Sequence, residues 1–152
     1  MSEAAGSVLF AYDGSELAKH AISEAAALLG TDREAIAVTV WQPFNVGFVP
    51  APALQFNAAQ IEEVRKAAEH TAAEGASLAE AAGFRADSMA IEGAPAWKEL
   101  IGVADDRGSE VIVLGSHGRR SLAEAVLGSV AGAVASHFER SVLIAHGTTA
   151  AD

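Results

Sequence analysis

A chain of 152 residues, 51% hydrophobic and 20% charged, is too apolar for a disordered segment and has room for one domain, with a core at about 6–146. Its net charge of −10, with no Lys/Arg cluster to offset it, sets the surface against DNA or RNA, so no nucleic-acid partner is expected. The lack of cysteine excludes disulfides, thiolate metal sites and thiol catalysis. No apolar run reaches the ~20 residues of a bilayer span and no secretory signal is visible, so the expected setting is the cytoplasm, with no membrane partner.

The apolar run Val8–Tyr12 predicts a buried strand. Asp13-Gly14-Ser15 turns the chain, and Ser15 can cap a helix marked by Leu17, Ala21, Ala25 and Leu28, which Gly30 and Thr31 stop. Ala35–Trp41, rich in β-branched residues, predicts the second strand. Residues 42–57, with Pro43, Pro50, Pro52 and three phenylalanines, suit neither a helix nor an interior strand. They read as an apolar loop folded on its own domain, with a lid or partner-contact loop as the alternative.

A long helix is predicted over Ala58–Ala82, with Ile61, Val64, Ala68, Ala72, Gly75, Leu78 and Ala82 on one face. Gly75 on that face suggests close contact with a neighbour. Ala86–Ile91 is a weaker strand, and Pro95 suits the first position of a helix with Trp97, Leu100, Ile101 and Ala104 inward, ended by Gly108. Val111–Leu114 is a continuous apolar strand, followed by a glycine-punctuated loop. A short helix over Ser129–Phe138 and a last strand over Val142–Ala145 complete the order β-α-β-α-β-α-β-α-β. Strict alternation with short apolar strands predicts an open, doubly wound parallel sheet with helices on both faces.

Ligands of such sheets bind beyond the carboxyl ends of the strands, where the strand order reverses. Two loops lie at such ends: Asp13-Gly14-Ser15, and Gly115 to Ser129. If the fourth strand returns beside the first, these loops flank one crevice; the pattern alone leaves other strand orders open. The second loop reads Gly115-Ser116-His117-Gly118, then nine residues, then Gly128-Ser129 opening a helix. Glycine lets backbone approach a phosphate, and the free N–H groups and dipole of a helix start favour an anion. The Ser129 hydroxyl can cap the helix or donate to a phosphate. Each glycine alone suits a mere turn; three glycines and a serine between a buried strand and a helix point to anion binding. There is no G-x-x-x-x-G-K-[ST] and no G-x-G-x-x-G after the first strand, which disfavours a P-loop NTPase and a dinucleotide enzyme.

Gly115, Gly118, Gly128 and Ser129 match G-x2-G-x9-G-[ST], and with them the chain resembles the universal stress protein family, whose nucleotide-binding signature this is. The segments "VLFAYDGSELAKHA" and "EGAPAWKELIGVADDRGSEVIVLGSHGRRSLAEAVLGSVAGAVASHFERSVLIAH" extend the resemblance over nearly the whole chain. It implies a Rossmann-like five-stranded sheet of order 3-2-1-4-5, a dimer, and ATP as ligand. Residue by residue it implies that Asp13 is the acidic nucleotide contact, with Ala11 beside it on the site wall. Val40 would read the adenine through its backbone. Leu114, Gly115, His117 and Gly118 would form the phosphate-side loop, and Gly128, Ser129 and Val130 the helix-start contacts. The family often has proline before its last strand, where Arg140-Ser141 stand here.

Asp13 alone also suits a turn, and His117 a loop residue without ligand contact. Arg119 and Arg120 sit near the expected phosphates, with Arg120 read as a solvated charge. His20, His70, His137 and His146 show no metal-ligand spacing. Asp13 is the one carboxylate that can be placed in the crevice, and no catalytic set is visible, so no catalytic residue is assigned. At most slow ATP turnover is expected, with Mg2+ or Mn2+ held mainly by the phosphates. The leading reading is a nucleotide-dependent regulatory module of the stress response. An ATP-hydrolysing or phosphotransfer enzyme and a dimeric interaction protein without nucleotide are the alternatives. The implied strand order puts Val142–Ala145 at a sheet edge, where an apolar strand invites antiparallel pairing with a second copy.

Overall fold

Strand β1 (Ser7–Ala11), helix α1 (Glu16–Leu29), β2 (Glu34–Trp41), α2 (Ala58–Ala82), β3 (Arg85–Glu92), α3 (Ala96–Arg107), β4 (Ser109–Gly115), α4 (Ser129–His137) and β5 (Ser141–Ala145) follow in that order. This computed structural model describes residues 6–43, 58–117 and 127–147. Gly118, Arg119, Arg120, the stretch 44–57 and the tail 148–152, with the expectations placed on them, lie outside the described residues.

The strands form one parallel sheet of order β3-β2-β1-β4-β5. Alternation along the central strands gives each face its own core. Val8, Phe10, Tyr12, Val111 and Val113 face α1 and α2, where Phe10 meets Phe84 edge to face at 5.3 Å. Leu9, Ile36, Val38, Ile112 and Leu114 face α3 and α4, against Leu100, Val103, Ala131 and Val134. β1 and β4 are covered on both sides, which is why they read as unbroken apolar runs. β3 lies at an edge and has no fully buried residue, its eight positions being exposed or half-buried, which accounts for its polar composition.

Local signals agree with most boundaries. Ser15 caps α1, its hydroxyl accepting from the Ala18 N–H at 3.1 Å. Gly108 closes α3 in the left-handed region, at φ 69°. α2 buries Ala68, Ala72, Gly75 and Ala79, a stripe of small residues that brings its backbone close to the sheet. Some details differ from the sequence-based expectation: β3 and β4 run one or two residues longer at their ends, and Phe138 caps α4 from outside. Ala79, fully buried, belongs to that stripe, while Ile61, Val64 and Leu78 are only half-buried. In the last turn of α1, Leu29 packs on the core and Leu28 is 64% exposed. Pro95 is extended at the N-cap of α3, one residue before the expected first helical position. Tyr12 lies just past β1 rather than in it.

Arg140 stands where the family often has proline, and its contacts give it a role of its own. Its Nε donates to the Ser109 carbonyl at 2.9 Å. Its Nη2 reaches the Ala104 carbonyl at 3.4 Å and Asp105 Oδ1 at 3.1 Å. The guanidinium lies 4.7 Å from the centre of the Phe138 ring. One side chain thus joins the end of α3, the start of β4 and the approach to β5. Arg140→Ala is expected to lower unfolding stability in urea by about 1–2 kcal/mol, reduced from the full value of such bonds because the side chain is half-exposed. An unchanged midpoint and slope would remove Arg140 from the forces holding β5.

Candidate functional site

The site begins with a mismatch in strand length. β1 pairs with β2 up to Ala11↔Val38 and with β4 up to Phe10↔Val113. Its neighbours run further at the carboxyl end, β2 to Trp41 and β4 to Gly115. The chain after β1 turns onto one face through α1, and the chain after β4 serves α4 on the other face. A crevice therefore opens above the end of β1, at the reversal of strand order.

On the β2 side, the Val38 carbonyl accepts from the Tyr12 N–H at 3.0 Å. Peptide groups two residues apart on a strand point the same way, so the Val40 N–H and C=O turn toward the space beyond β1. The Trp41 carbonyl, on the other flank, accepts from Gly93. The side chains of Ala11, Val40, Leu114 and Val130 gather on the α3/α4 core, giving the crevice an apolar wall.

Asp13 opens the β1–α1 turn, and its Oδ1 accepts from the Ser15 N–H at 3.0 Å. The turn role weighed from sequence is therefore real. Leu17, in the first turn of α1, packs on Gly115: a Cβ there would fall 2.8 Å from Leu17 Cγ. The two loops that carry the sequence signals are thus in contact at their roots.

On the β4 side, Ser116 is 4% exposed and anchors the loop. Its N–H donates to the Ala145 carbonyl at 2.9 Å, and its carbonyl accepts from the Gly128 N–H at 2.7 Å. That second bond folds both ends of the loop together, and it leaves little room for a side chain at Gly128. A Cβ at Gly128 would lie 3.0 Å from the Ser116 oxygen and 3.1 Å from His117 Cα. Gly128 is the N-cap of α4 without a side-chain cap, and its carbonyl receives the first helical bond, from Gly132, at 2.8 Å. The amides of Ser129, Val130 and Ala131 precede that bond and belong to the open helix start. Ser129 itself is exposed in the first turn, so its hydroxyl does not serve as the cap. His117 Nδ1 is buried and has no hydrogen-bond partner among the described residues.

Nine of the ten predicted site residues are described, and they converge on one end of the sheet: Ala11, Asp13, Val40, Leu114, Gly115, His117, Gly128, Ser129 and Val130. Sequence reasoning passed over Ser116, whose main-chain bonds close the loop, and Thr39, whose hydroxyl donates to the Tyr12 carbonyl at 2.8 Å. Neither has a sequence signal beyond its position between residues that do. A separate cleft of about 810 Å³ lies at the opposite, amino end of the sheet, between Ser7, Glu34, Phe84, Asp87 and Arg107. Arg107 pairs with Asp87 there at 3.7 Å, and none of the loops just described reaches it. Among the described residues no three His, Asp or Glu side chains cluster as a metal site, and no helix is long and apolar enough to cross a membrane.

The family model of the universal stress protein family matches residues 5–146. Universal stress protein MJ0577 of Methanocaldococcus jannaschii is 36% identical over 62 residues, which is 41% of this chain and 38% of that relative's length. The solved structure of MJ0577 superposes with a TM-score of 0.77 at 24% identity, covering 95% of this chain and 98% of that one, a likeness of fold. Protein PH0823 gives a TM-score of 0.73 at 25% identity, over 96% and 98% of the two chains. A universal stress protein in complex with cAMP gives 0.60 at 27% identity, over 95% and 98%. With the family model spanning all but the ends, and with the fold of these relatives, the chain belongs to the universal stress protein family.

Proposed function

We propose that this protein is a cytoplasmic ATP-binding regulator of the stress response, a module whose interactions depend on nucleotide occupancy. The observation that carries the reading is the crevice above β1, with a main-chain donor and acceptor on one flank and an open helix start on the other. The Val40 N–H and C=O suit the N1 acceptor and N6 donor of adenine; guanine presents the opposite pattern, a donor at N1 and an acceptor at C6. The apolar wall of Ala11, Val40, Leu114 and Val130 suits the flat base. The amides of Ser129 and Val130, the α4 dipole and the Gly128 approach suit phosphate, and the buried Nδ1 of His117 is a polar atom in want of a partner there. A relative at 27% identity holds cAMP, which supports an adenine nucleotide; the spaced glycine signature supports ATP in particular.

Mg2+ or Mn2+ would reach the site with the phosphates, which would supply most of its ligands, since the described side chains offer no cluster of three metal-ligating residues. Such an ion would draw charge from the phosphate oxygens. Asp13, already accepting from Ser15, is poorly placed to act as a strong base, so the proposal is occupancy rather than rapid turnover. The functional unit is a homodimer through β5. That strand is at the sheet edge, and Val142, Leu143 and Ile144 are all half-buried, leaving no polar side for water.

Millimolar ATP with Mg2+ is expected to raise the melting temperature, because ligand bound only to the folded state stabilises it by mass action. GTP should do so far less. No shift with ATP, together with no heat in calorimetric titration, would sink the binding reading; an equal shift with GTP would sink the Val40 reading of the base. Gly128→Ala is expected to weaken ATP binding more than Ser129→Ala does. The first forces the Ser116–Gly128 closure apart, while the second removes one hydrogen bond, worth about 0.5–1.5 kcal/mol or 2- to 12-fold. The reverse order would misplace the phosphates. For the dimer, Leu143→Lys should give a smaller species by light scattering with nucleotide affinity kept. A wild-type monomer at high micromolar concentration would rule the β5 dimer out.

A further inference from the structure

Between Ala11 and Asp13 stands Tyr12, 2% exposed and turned to the α1/α2 face, away from the apolar wall of the crevice. All three of its polar groups are engaged. Its N–H donates to the Val38 carbonyl at 3.0 Å and its carbonyl accepts from Thr39 Oγ1 at 2.8 Å. Its hydroxyl donates to Glu74 Oε1 on α2, 62 residues away, at 2.8 Å. The ring lies close against α2: a Cβ at Gly75 would fall 2.8 Å from it. One turn earlier, Thr71 Cγ2 lies 3.6 Å from where a Cβ on Gly14 would stand. Burial first, and then the Glu74 carboxylate, push the Tyr12 phenol well above its ordinary range, which favours the protonated, donating form.

A phenylalanine would fill this space without needing a partner. The hydroxyl is buried at a cost that only its bond to Glu74 offsets, so the bond fixes where the ring and its backbone stand. That backbone is the joint of the crevice. It is tied to Val38 and Thr39, which lead into Val40, and it continues directly into Asp13. Resting on the nucleotide-binding reading above, we propose that Tyr12, held by Glu74, is a positioning residue for the nucleotide. It locks the Asp13-Gly14 turn and the Val40 peptide into one unit and couples both to α2. By linkage, a nucleotide that needs this arrangement must in turn strengthen the Tyr12–Glu74 bond.

The test is calorimetric titration of the full chain with Mg-ATP, for wild type, Tyr12→Phe, Glu74→Ala, Glu74→Gln and the Tyr12→Phe/Glu74→Ala double variant, with Arg140→Ala as a destabilised control remote from the crevice. Tyr12→Phe and Glu74→Ala are each expected to weaken binding about 3- to 10-fold, the worth of one such bond. The double variant should lose no more than either single one. Glu74→Gln keeps an acceptor oxygen for the phenol and should bind within about twofold of wild type. Arg140→Ala should melt earlier yet keep its affinity. Wild-type affinity in both single variants, additive losses in the double variant, or an equal loss in Arg140→Ala would overturn the positioning role. If Tyr12→Phe does not fold, the contrast between Glu74→Ala and Glu74→Gln, at an exposed position, decides alone: equal affinities overturn the proposal. A wild-type protein that binds no Mg-ATP overturns the nucleotide reading itself, an outcome read before any variant is compared.

Discussion

Backbone amides and carbonyls of a sheet interior must find partners, and at one place in this fold the sheet cannot supply them. β1 stops at Ala11 while β2 continues to Trp41 and β4 to Gly115. The peptide groups of the longer strands that look inward over β1 face a gap instead of a neighbour. Everything around the gap is arranged to manage it. On the β2 side the Tyr12 amide takes up the Val38 carbonyl, and its own carbonyl accepts from the Thr39 hydroxyl. On the β4 side, Ser116 turns its amide to β5 and its carbonyl to Gly128. What lies between is a slot with polar main-chain edges and apolar walls.

Connectivity puts the slot there. α1 and α2 pack on one face and α3 and α4 on the other, so the chain changes face once, between β3 and α3. The strands before the change grow outward from β1 in one direction, and those after it grow in the other. With right-handed crossovers on both sides, the loops leaving β1 and β4 must part to opposite faces. The site is a consequence of winding in two directions from a shared centre. The side chains refine it.

Much of this is legible in the sequence because it is local. A glycine whose N–H meets a carbonyl at 2.7 Å, as Gly128 does, declares itself by spacing alone. Ser15 declares a helix start in the same way, and the two-sided burial of β4 shows as an unbroken apolar run. Features that depend on what lies opposite are not legible. Leu28 has the right helical phase yet no core beside it, whereas Leu29 does. Gly75 signalled a close neighbour without naming it, and the neighbour, Tyr12, is more than sixty positions away. Arg140 looked like a mere departure from the family pattern. Its work is to hold carbonyls at Ala104 and Ser109 that no sequence window places beside it.

The Val40 peptide, turned toward the slot at the end of β2, has a consequence for how the protein can change over time. Its donor and acceptor belong to the main chain, so every residue except proline supplies the same pair. The side chain at position 40 answers only to the α3/α4 core against which it packs. Drift at that position is therefore filtered by volume and hydrophobicity. The chemistry presented to the slot passes unaltered through each exchange, hidden from any comparison of side chains.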